Sequence, residues 1–471
     1  MMITLGTTPI LIRVGGMRLY GVWVGLYALG SLTLLADGGL ASATSVFVAA
    51  ARADGDRERE RGIVSIALRY MLASGLAFSA AFGLLVGKIA QLFHDQGQDV
   101  RIALWLVALG VTPRLFQQYC GALEAGLKRH DVTARVETGY VVALQFGLVG
   151  CVVLGRGIVW LVAWYSVVTL AVCVVHIIAL DRLGAPFSLR AAPPALRREV
   201  LRFSTAHWVS AIASTSFAKV DRLVVAGVLG SEALGVYGAA TSVASKINEF
   251  SALPVQPLIP YVASSVAVGD LPAASRLFRA AVRLNSCIIL SVSGSMLWLA
   301  PVLAHVLSRS EKGSLEVTLR ILAITYAAYS FNAVGYLFLI AMKRPRLNAV
   351  TTVVGSLGSL LAIAYLGSHY GLVGAAAGNG VFVVSCLTNV AVARRLRVPG
   401  AFLLWEYGGA AILGTICVLL NELMGSMRES PTVLVVGTLA CNLLAIYLGR
   451  GLLRFWEELR DGSLRASWKH V

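Results

Sequence analysis

The chain contains few charged residues. Asp, Glu, Lys and Arg make up 14% of its 471 residues, whereas apolar types make up 57%, and the mean hydropathy is +0.77. No polar stretch is long enough for a sizeable soluble domain. The composition therefore indicates a protein that works within or across a lipid bilayer.

Sequence motifs for nucleotide hydrolysis and for hydrolytic catalysis are also absent. There is no GxxxxGK[ST] phosphate loop, no HExxH and no GxSxG elbow. The seven cysteines lie in apolar segments without a CxxC pair, and the seven histidines lack metal-ligand spacing. We expect no catalytic residue, no metal and no cofactor.

Apolar segments of helix length fill the chain from end to end. A stretch of about 20 apolar residues crosses the hydrocarbon layer, and its backbone amides must be paired within the segment. We therefore expect an all-α, polytopic membrane protein with about 14 transmembrane helices. The predicted spans are 1–13, 18–50, 62–92, 102–127, 131–154, 158–180, 204–229, 233–266, 278–308, 315–342, 347–368, 371–394, 402–424 and 431–455.

Lys and Arg are distributed unevenly between the predicted loops. The even-numbered loops and the C-terminal tail carry 26 of them, and the odd-numbered loops carry seven. This asymmetry is the positive-inside signal, so we expect both termini in the cytoplasm. The net charge of +16 then reflects topology and contact with anionic membrane lipids, and no nucleic-acid partner is predicted.

A shift of 214 residues aligns two parts of the chain without a gap. Residues 16–69 share 11 identities with the shifted copy, including Gly16 with Gly230 and a Gly-Asp pair at 55–56 and 269–270. An offset of six helices predicts two like-oriented lobes related by an axis along the membrane normal. In this alignment helix 1 is expected to lack roughly its first ten residues, either because the start is assigned too late or because helix 1 is short and poorly anchored. The predicted regions are an N-lobe at 1–180, a cytoplasmic linker at 181–203, a C-lobe at 204–394, and two extra helices with a tail at 395–471.

Several charged side chains lie well inside the predicted spans. A charge at the centre of a membrane helix costs about 2.5–3.5 kcal/mol on insertion scales, so it rarely faces lipid. We expect a water-filled cavity between the lobes with a cationic wall. Such a wall favours an anionic substrate, because one Arg side chain can bind a phosphate through two hydrogen bonds. Structural ion pairing between helices is the alternative. The candidate cavity cations are Arg114, Lys219, Arg222, Lys246, Arg69 and Arg283, and the supporting polar residues are Asp37, Gln118, Asp221, Tyr237 and Glu249.

Spacing adds detail to this set. Lys246 and Glu249 are three residues apart on one helical face and can pair, and Asp221 is expected to hold an adjacent cation. Prolines interrupt regular helix, so those at membrane depth are either hinges or static kinks. They are Pro113, Pro254, Pro257 and Pro260.

Three segments resemble those of a known family. A Gly-containing turn leads into YGVW at 20–23 and LADGGLASATSVFVAAARADGD at 35–56, which is similar to the opening of bacterial polysaccharide flippases of the Wzx type. LGSEALGVYGAATSVASKINEF at 229–250 resembles the seventh and eighth helices of that family. YGLVGAAAGNG at 370–380 resembles its turn between helices 11 and 12. The family is part of the multidrug/oligosaccharidyl-lipid/polysaccharide exporter superfamily, so the resemblance implies a MATE-like fold.

The resemblance implies a flippase of the bacterial inner membrane. It would translocate undecaprenyl-diphosphate-linked oligosaccharide repeat units, for O-antigen or exopolysaccharide synthesis, by alternating access. Arg114 and Lys219, supported by Lys246, would neutralise the diphosphate, and Tyr237 and Gln118 would contact sugar. Its partners would be this lipid-linked oligosaccharide diphosphate, membrane lipids and polysaccharide polymerase or export proteins.

Two other classes of function stay open at this point. A cation-coupled multidrug/toxin extrusion antiporter needs an acid that alternately binds a proton and a drug, for which Asp37 or Glu249 is the candidate. A non-transporting scaffold of a polysaccharide assembly complex would tolerate changes in the cavity and fail when its surface loops change.

Overall fold

The described part of the chain is built of helices. The computed structural model describes residues 2–93, 97–185, 192–253, 255, 258, 261–262, 265–266, 269–308, 311–342, 344–423 and 431–448. Within these ranges no β-strand occurs, so the predicted all-α class is confirmed.

The helices are named α1 to α14 in chain order. The first seven are α1 Met2–Leu32, α2 Leu40–Ala53, α3 Arg57–Leu92, α4 Gln98–Gly126, α5 His130–Val153, α6 Ile158–Arg182 and α7 Pro194–Ala252. The others are α8 Leu271–Leu307, α9 Lys312–Ser330, α10 Asn332–Ala341, α11 Pro345–Gly378, α12 Leu387–Arg395, α13 Gly400–Leu423 and α14 Pro431–Leu448. Two 3-10 segments, Thr33–Asp37 and Asn379–Cys386, join neighbouring helices.

The chain divides into two compact units, unit 1 at Met1–Gly238 and unit 2 at Ala239–Val471. The core of unit 1 joins α2, α3 and α4 around side chains such as Leu115. The core of unit 2 joins α8, α10 and α12, where the rings of Phe278 and Phe338 meet edge to face at 5.3 Å. The lobe boundaries predicted from the repeat stay a prediction.

Many of the described helices are long and apolar enough to cross a bilayer. Eight segments meet that description on length and hydropathy alone. They are Gly6–Asp37, Arg57–Gln91, His130–Val153, Ile158–Arg182, Lys219–Ala252, Leu271–Leu307, Gly313–Ala341 and Arg346–Arg395. The last is 50 residues long and contains two of the predicted spans, so these segments agree with a polytopic membrane protein.

Three glycines turn the chain from one predicted span into the next. Gly16 in α1 has φ 84° and ψ 160°, Gly230 in α7 has φ 85° and ψ −179°, and Gly371 in α11 has φ 63° and ψ −144°. Residues with a Cβ rarely adopt such angles. The breaks fall at the predicted boundaries between spans.

Local geometry supports the predicted duplication. Asp56 before α3 and Asp270 before α8 are equivalent under the 214-residue shift. Each caps its helix by accepting a backbone hydrogen bond three residues on, at 2.8 and 2.9 Å. The preceding glycines, Gly55 and Gly269, have φ 73° and 83°. Both copies therefore start a long helix in the same way, with a Gly turn followed by an Asp N-cap.

The crossing of α1 and the latter half of α7 also follows the 214-residue repeat. A Cβ added at Gly21 would overlap the carbonyl oxygen of Ser231, and one added at Gly235 would overlap that of Met17. The 214-residue shift converts one contact into the other. Only glycine lets the two backbones approach so closely, which explains why both positions hold it.

Candidate functional site

The candidate site lies inside unit 1, at the middle of α4. Arg114 stands 16 residues after the first and 12 before the last residue of this helix, so roughly 24 and 18 Å of helix lie on its two sides. Nη1 of the half-buried guanidinium donates to Oε1 of Gln117 at 2.5 Å. Cζ lies 4.9 Å from the ring centroid of Tyr140, a favourable cation–π contact.

Aromatic side chains from three helices gather near this guanidinium. We call Trp23, Tyr27, Tyr140 and Tyr165 the tyrosine cluster; they come from α1, α5 and α6. Tyr27 and Tyr165 meet edge to face at 6.0 Å, and Trp23 lies 5.7 and 6.1 Å from them. The charge of Arg114 lies within electrostatic range of all three tyrosines.

Lys219 of α7 joins the same cluster. Its Nζ lies 5.8 Å from the ring centroid of Tyr27, and its side chain is half-buried. The two predicted cations Arg114 and Lys219 are far apart in sequence, and the fold brings both against one group of aromatic faces. The result is a surface on which positive charge lies beside flat apolar rings.

A polar chain leads away from Arg114 towards α5. Nε2 of Gln117 donates to Oε1 of Glu137 at 2.9 Å, so the amide links guanidinium and carboxylate. No carboxylate of the described residues lies within salt-bridge distance of Arg114. Its hydrogen-bond partner Gln117 and its ring partner Tyr140 are both neutral groups.

Asp37 and Gln118 are brought together at the start of α2. The buried carboxylate of Asp37 accepts from the backbone N–H of Gly39 at 2.9 Å and of Ala41 at 3.3 Å. Nε2 of Gln118 donates to it at 3.3 Å. Asp37 thus accepts hydrogen bonds at the amino end of α2, where a negative charge is favourable, and ties that end to α4.

Asp221 is buried and lies near two of the predicted cations. Its Oδ2 accepts from the hydroxyl of Tyr237 at 3.1 Å, and its Oδ1 accepts from the backbone N–H of Arg222 at 2.7 Å. The charges of Arg222 and Lys219 both act on this carboxylate. Tyr237 is fully buried, with its hydroxyl directed at Asp221.

The remaining predicted cations lie elsewhere. In unit 2, Nζ of Lys246 donates to both carboxylate oxygens of Glu249, at 2.6 and 2.8 Å, as the three-residue spacing predicted. Nε of Arg283 donates to Oε1 of Glu406 at 3.2 Å. In unit 1, Arg69, which the repeat aligns with Arg283, is exposed on α3.

Pro113 lies inside α4, which continues as helix through it. Its carbonyl oxygen accepts from Sγ of Cys173 on α6 at 3.2 Å. The other predicted hinge residues, Pro254, Pro257 and Pro260, lie outside the described residues. The hinge role stays a prediction for all four.

Sequence reasoning missed the aromatic part of the site. Single Trp and Tyr residues in membrane spans usually indicate interfacial anchors, and nothing local marks Tyr27, Tyr140 or Tyr165 as neighbours. Glu137 was also missed, because it lies near the predicted end of a span. Its position in α5 next to a polar stripe on α4 becomes informative only once the helices are packed.

The fold is similar to those of several solved membrane transporters. An inward-facing multidrug resistance MATE family transporter of the MOP superfamily is 14% identical, with a TM-score of 0.71 over 88% of this chain and 95% of that one. The lipid II flippase MurJ, in an inward closed conformation, is 11% identical, with a TM-score of 0.76 over 97% of each chain. A MOP superfamily transporter from Pyrococcus furiosus is 16% identical, with a TM-score of 0.52 over 88% of this chain and 92% of that one. The predicted MATE-like fold is confirmed.

The family follows from the sequence profile. Residues 1–266 match the family described as polysaccharide biosynthesis protein, so the chain belongs to the polysaccharide biosynthesis protein family. No functionally curated protein sequence matches it. It is a multi-pass membrane protein of a transporter fold, as the resemblance implied.

Proposed function

We propose that the protein is a flippase for undecaprenyl-diphosphate-linked oligosaccharide repeat units, acting in the bacterial inner membrane in O-antigen or exopolysaccharide synthesis. The Lys and Arg asymmetry of the loops supports a cytoplasmic location for both termini. The observation that carries the proposal is the pairing of Arg114 and Lys219 with the tyrosine cluster, whose rings come from helices long and apolar enough to span a membrane. Family membership and a fold similar to that of a lipid II flippase support it.

The chemistry of the cluster fits a sugar diphosphate. Arg114 has a planar fork of donors, and among the described residues its hydrogen-bond partner is the neutral side-chain amide of Gln117. A phosphate can replace that amide and gain a charge-assisted bidentate pair. Aromatic faces such as those of Tyr27 and Trp23 offer flat apolar surface for the carbon-bound face of a sugar ring.

The other polar residues then hold the site in shape. Asp221 accepts from Tyr237 and lies near the cation of Lys219, so this acid orients the cation rather than binding substrate. Glu137, through Gln117, positions the guanidinium of Arg114. In this proposal the diphosphate and sugars cross along the cations while the lipid tail stays in the bilayer.

The competing function is cation-coupled drug extrusion, because the fold is also similar to that of a multidrug resistance MATE transporter. That function needs an acid able to exchange a proton for a cationic drug. Asp37 accepts two backbone N–H groups and the Gln118 amide, so its carboxylate already has three donors. The cations beside the tyrosine cluster also repel a cationic drug. The flippase is therefore the proposal.

A deletion strain tests the proposal. Loss of the gene is expected to stop surface polysaccharide export and to cause lipid-linked repeat units to accumulate at the inner membrane, measured by lipid extraction and mass spectrometry. Drug susceptibility is expected to stay unchanged. Normal export, or a broad gain of drug susceptibility with no lipid-linked accumulation, would favour the extrusion antiporter and reject the flippase.

A further inference from the structure

Two long helices, α3 in unit 1 and α8 in unit 2, are equivalent under the 214-residue shift. The shift aligns their first residues and brings their last residues within one position of each other. The first third of each helix packs into the core of its own unit. Beyond that point the two helices differ. More than half of the residues at 69–91 of α3 are exposed, whereas of the equivalent residues 283–305, all of which the structure describes, only His305 is exposed.

The two C-terminal helices cover that part of α8. Nε of Arg283 on α8 donates to Oε1 of Glu406 on α13 at 3.2 Å. Further along α8, Oγ of Ser291 donates to Oδ1 of Asn442 on α14, and Nδ2 of Asn442 donates to Oγ of Ser295 at 3.1 Å. A carboxylate and an amide from the covering helices therefore meet polar groups on one face of α8.

Trp298 lies at the far end of the covered face. Its side chain is 5% exposed, and its Nε1 donates to the carbonyl oxygen of Val433 on α14 at 3.3 Å. A Cβ added at Gly437 would overlap its indole ring. The α3 residue equivalent to Trp298 is Leu84, which is 88% exposed. One position of the repeat is thus packed against a helix in unit 2 and exposed in unit 1.

The exposed face of α3 has the small residues of a membrane helix interface. Ala73, Ala77 and Ala81 are exposed and follow one another at intervals of four residues, so they lie along one side of the helix. Small residues at this spacing let membrane helices approach closely. Ala77 and Ala81 are equivalent to Ser291 and Ser295, the residues that contact α14 in unit 2.

The charge of Arg69 selects the chemistry of a partner. Arg69 is exposed four residues before Ala73, and no acid of the described residues lies within salt-bridge distance of it. A cation that faces lipid is costly, and its equivalent Arg283 has a carboxylate partner. If a second copy of this chain docked α3 against α3, the two Arg69 side chains would meet and repel each other. A different protein with an acidic residue is the partner that fits.

We propose that the face of α3 from Arg69 to Leu84 is the docking surface for a transmembrane helix of another membrane protein. That helix places a carboxylate against Arg69 and packs across Ala73, Ala77 and Ala81. It gives α3 the kind of cover that α13 and α14 give α8. The tyrosine cluster comes from α1, α5 and α6, so this surface is separate from the proposed substrate site.

Photo-cross-linking of the full-length protein in cells of the native host tests the inference. The photoreactive amino acid benzoylphenylalanine replaces Leu84, and in a control protein it replaces Leu361 of α11, which is 71% exposed. We expect one discrete protein adduct from Leu84 and lipid adducts alone from Leu361. Mass spectrometry of the Leu84 adduct should identify one membrane protein, whose cross-linked helix carries Asp or Glu at the level of Arg69.

Four variants, compared at equal membrane levels, test the chemistry of the surface. Arg69→Glu should lower the yield of the Leu84 adduct at least about tenfold, because like charges then meet, and Arg69→Lys should keep most of it. Exchange of the partner's acid for Arg should restore the yield with Arg69→Glu. Ala77→Phe fills the close approach and should remove the adduct, even if Arg69→Glu does not insert. Ala77→Ser, which introduces the residue type of the second copy, should keep it.

Lipid adducts alone at Leu84 would overturn the proposal, and so would an adduct that consists of two copies of this chain. A protein adduct that persists with Ala77→Phe, or a cross-linked helix without an acid, would overturn it as well. Cross-linking requires no transport of substrate. A negative result therefore leaves the flippase proposal standing, and a failed export test leaves this one standing.

Discussion

Replacement of Arg114 is the most direct mutational test of the proposed substrate site. The wild-type guanidinium donates to Gln117 and stacks on Tyr140, with no carboxylate of the described residues in salt-bridge range. Two charge-assisted hydrogen bonds to a diphosphate are worth about 1.5 kcal/mol each at the low end, so Arg114→Ala should weaken substrate binding roughly a hundredfold. Arg114→Lys keeps the charge but loses the planar fork, and we expect a loss of about tenfold.

The assay is complementation of a deletion strain. Surface polysaccharide and accumulated lipid-linked repeat units are quantified for each variant and normalised to the amount of protein in the membrane. Arg101→Ala is the matched control, because Arg101 is an exposed residue of the same helix. We expect Arg101→Ala to export like the wild type, and Arg114→Ala to insert normally while losing export.

The refuting result is specific. If Arg114→Ala restores export as fully as Arg101→Ala at equal membrane levels, the guanidinium carries no substrate. If Arg114→Ala is absent from the membrane while Arg114→Lys is normal, the residue serves folding, and the structural pairing alternative replaces the cationic site.

Three further outcomes are expected. Lys219→Ala removes the cation over the Tyr27 ring, so export should fall about tenfold with normal membrane levels; unchanged export would remove Lys219 from the site. Gly235→Ala pushes a methyl group into the Met17 carbonyl, and the detergent-purified protein should lose about 1–3 kcal/mol of stability, seen as a lower thermal midpoint. Gly230→Ala must hold φ 85° and ψ −179°, which costs about 1–3 kcal/mol and should lower the midpoint similarly.

Gly139→Ala is the control for both glycine variants. Gly139 is a helical residue of α5, and a Cβ there meets nothing within 4 Å. Its midpoint is expected to match the wild type or rise slightly, since alanine favours helix. Midpoints for Gly235→Ala or Gly230→Ala that equal this control would contradict the close crossing or the required turn.

Backbone features were predictable because they depend on local sequence. Membrane spans follow from continuous apolar stretches, so α5 at His130–Val153 and α6 at Ile158–Arg182 match the predicted 131–154 and 158–180 closely. Glycine favours a break because of its access to positive φ, and the break at Gly371 falls at the start of the predicted span 371–394. The repeated Gly-Asp caps also have one local cause in each copy.

Side-chain neighbours were less predictable because helix packing joins positions far apart in the chain. Lys246 and Glu249 are neighbours within one helix, and that pair was predicted correctly. Arg283 and Glu406 are 123 residues apart, and the hydrogen-bonded His176 and Glu124 are 52 apart. No periodicity relates such positions, so the tyrosine cluster and these two pairs required the packed helices.

Direct flipping in vesicles tests the central claim. Purified protein is reconstituted into liposomes with lipid-linked oligosaccharide extracted from the deletion strain, and a membrane-impermeant sugar-modifying reagent reports which leaflet the oligosaccharide occupies. Wild-type vesicles should expose the inner-leaflet fraction to the reagent with time, whereas Arg114→Ala vesicles should react like protein-free liposomes. Equal exposure in wild-type and protein-free liposomes would contradict a flippase, and equal flipping by the wild type and Arg114→Ala would contradict the cationic site.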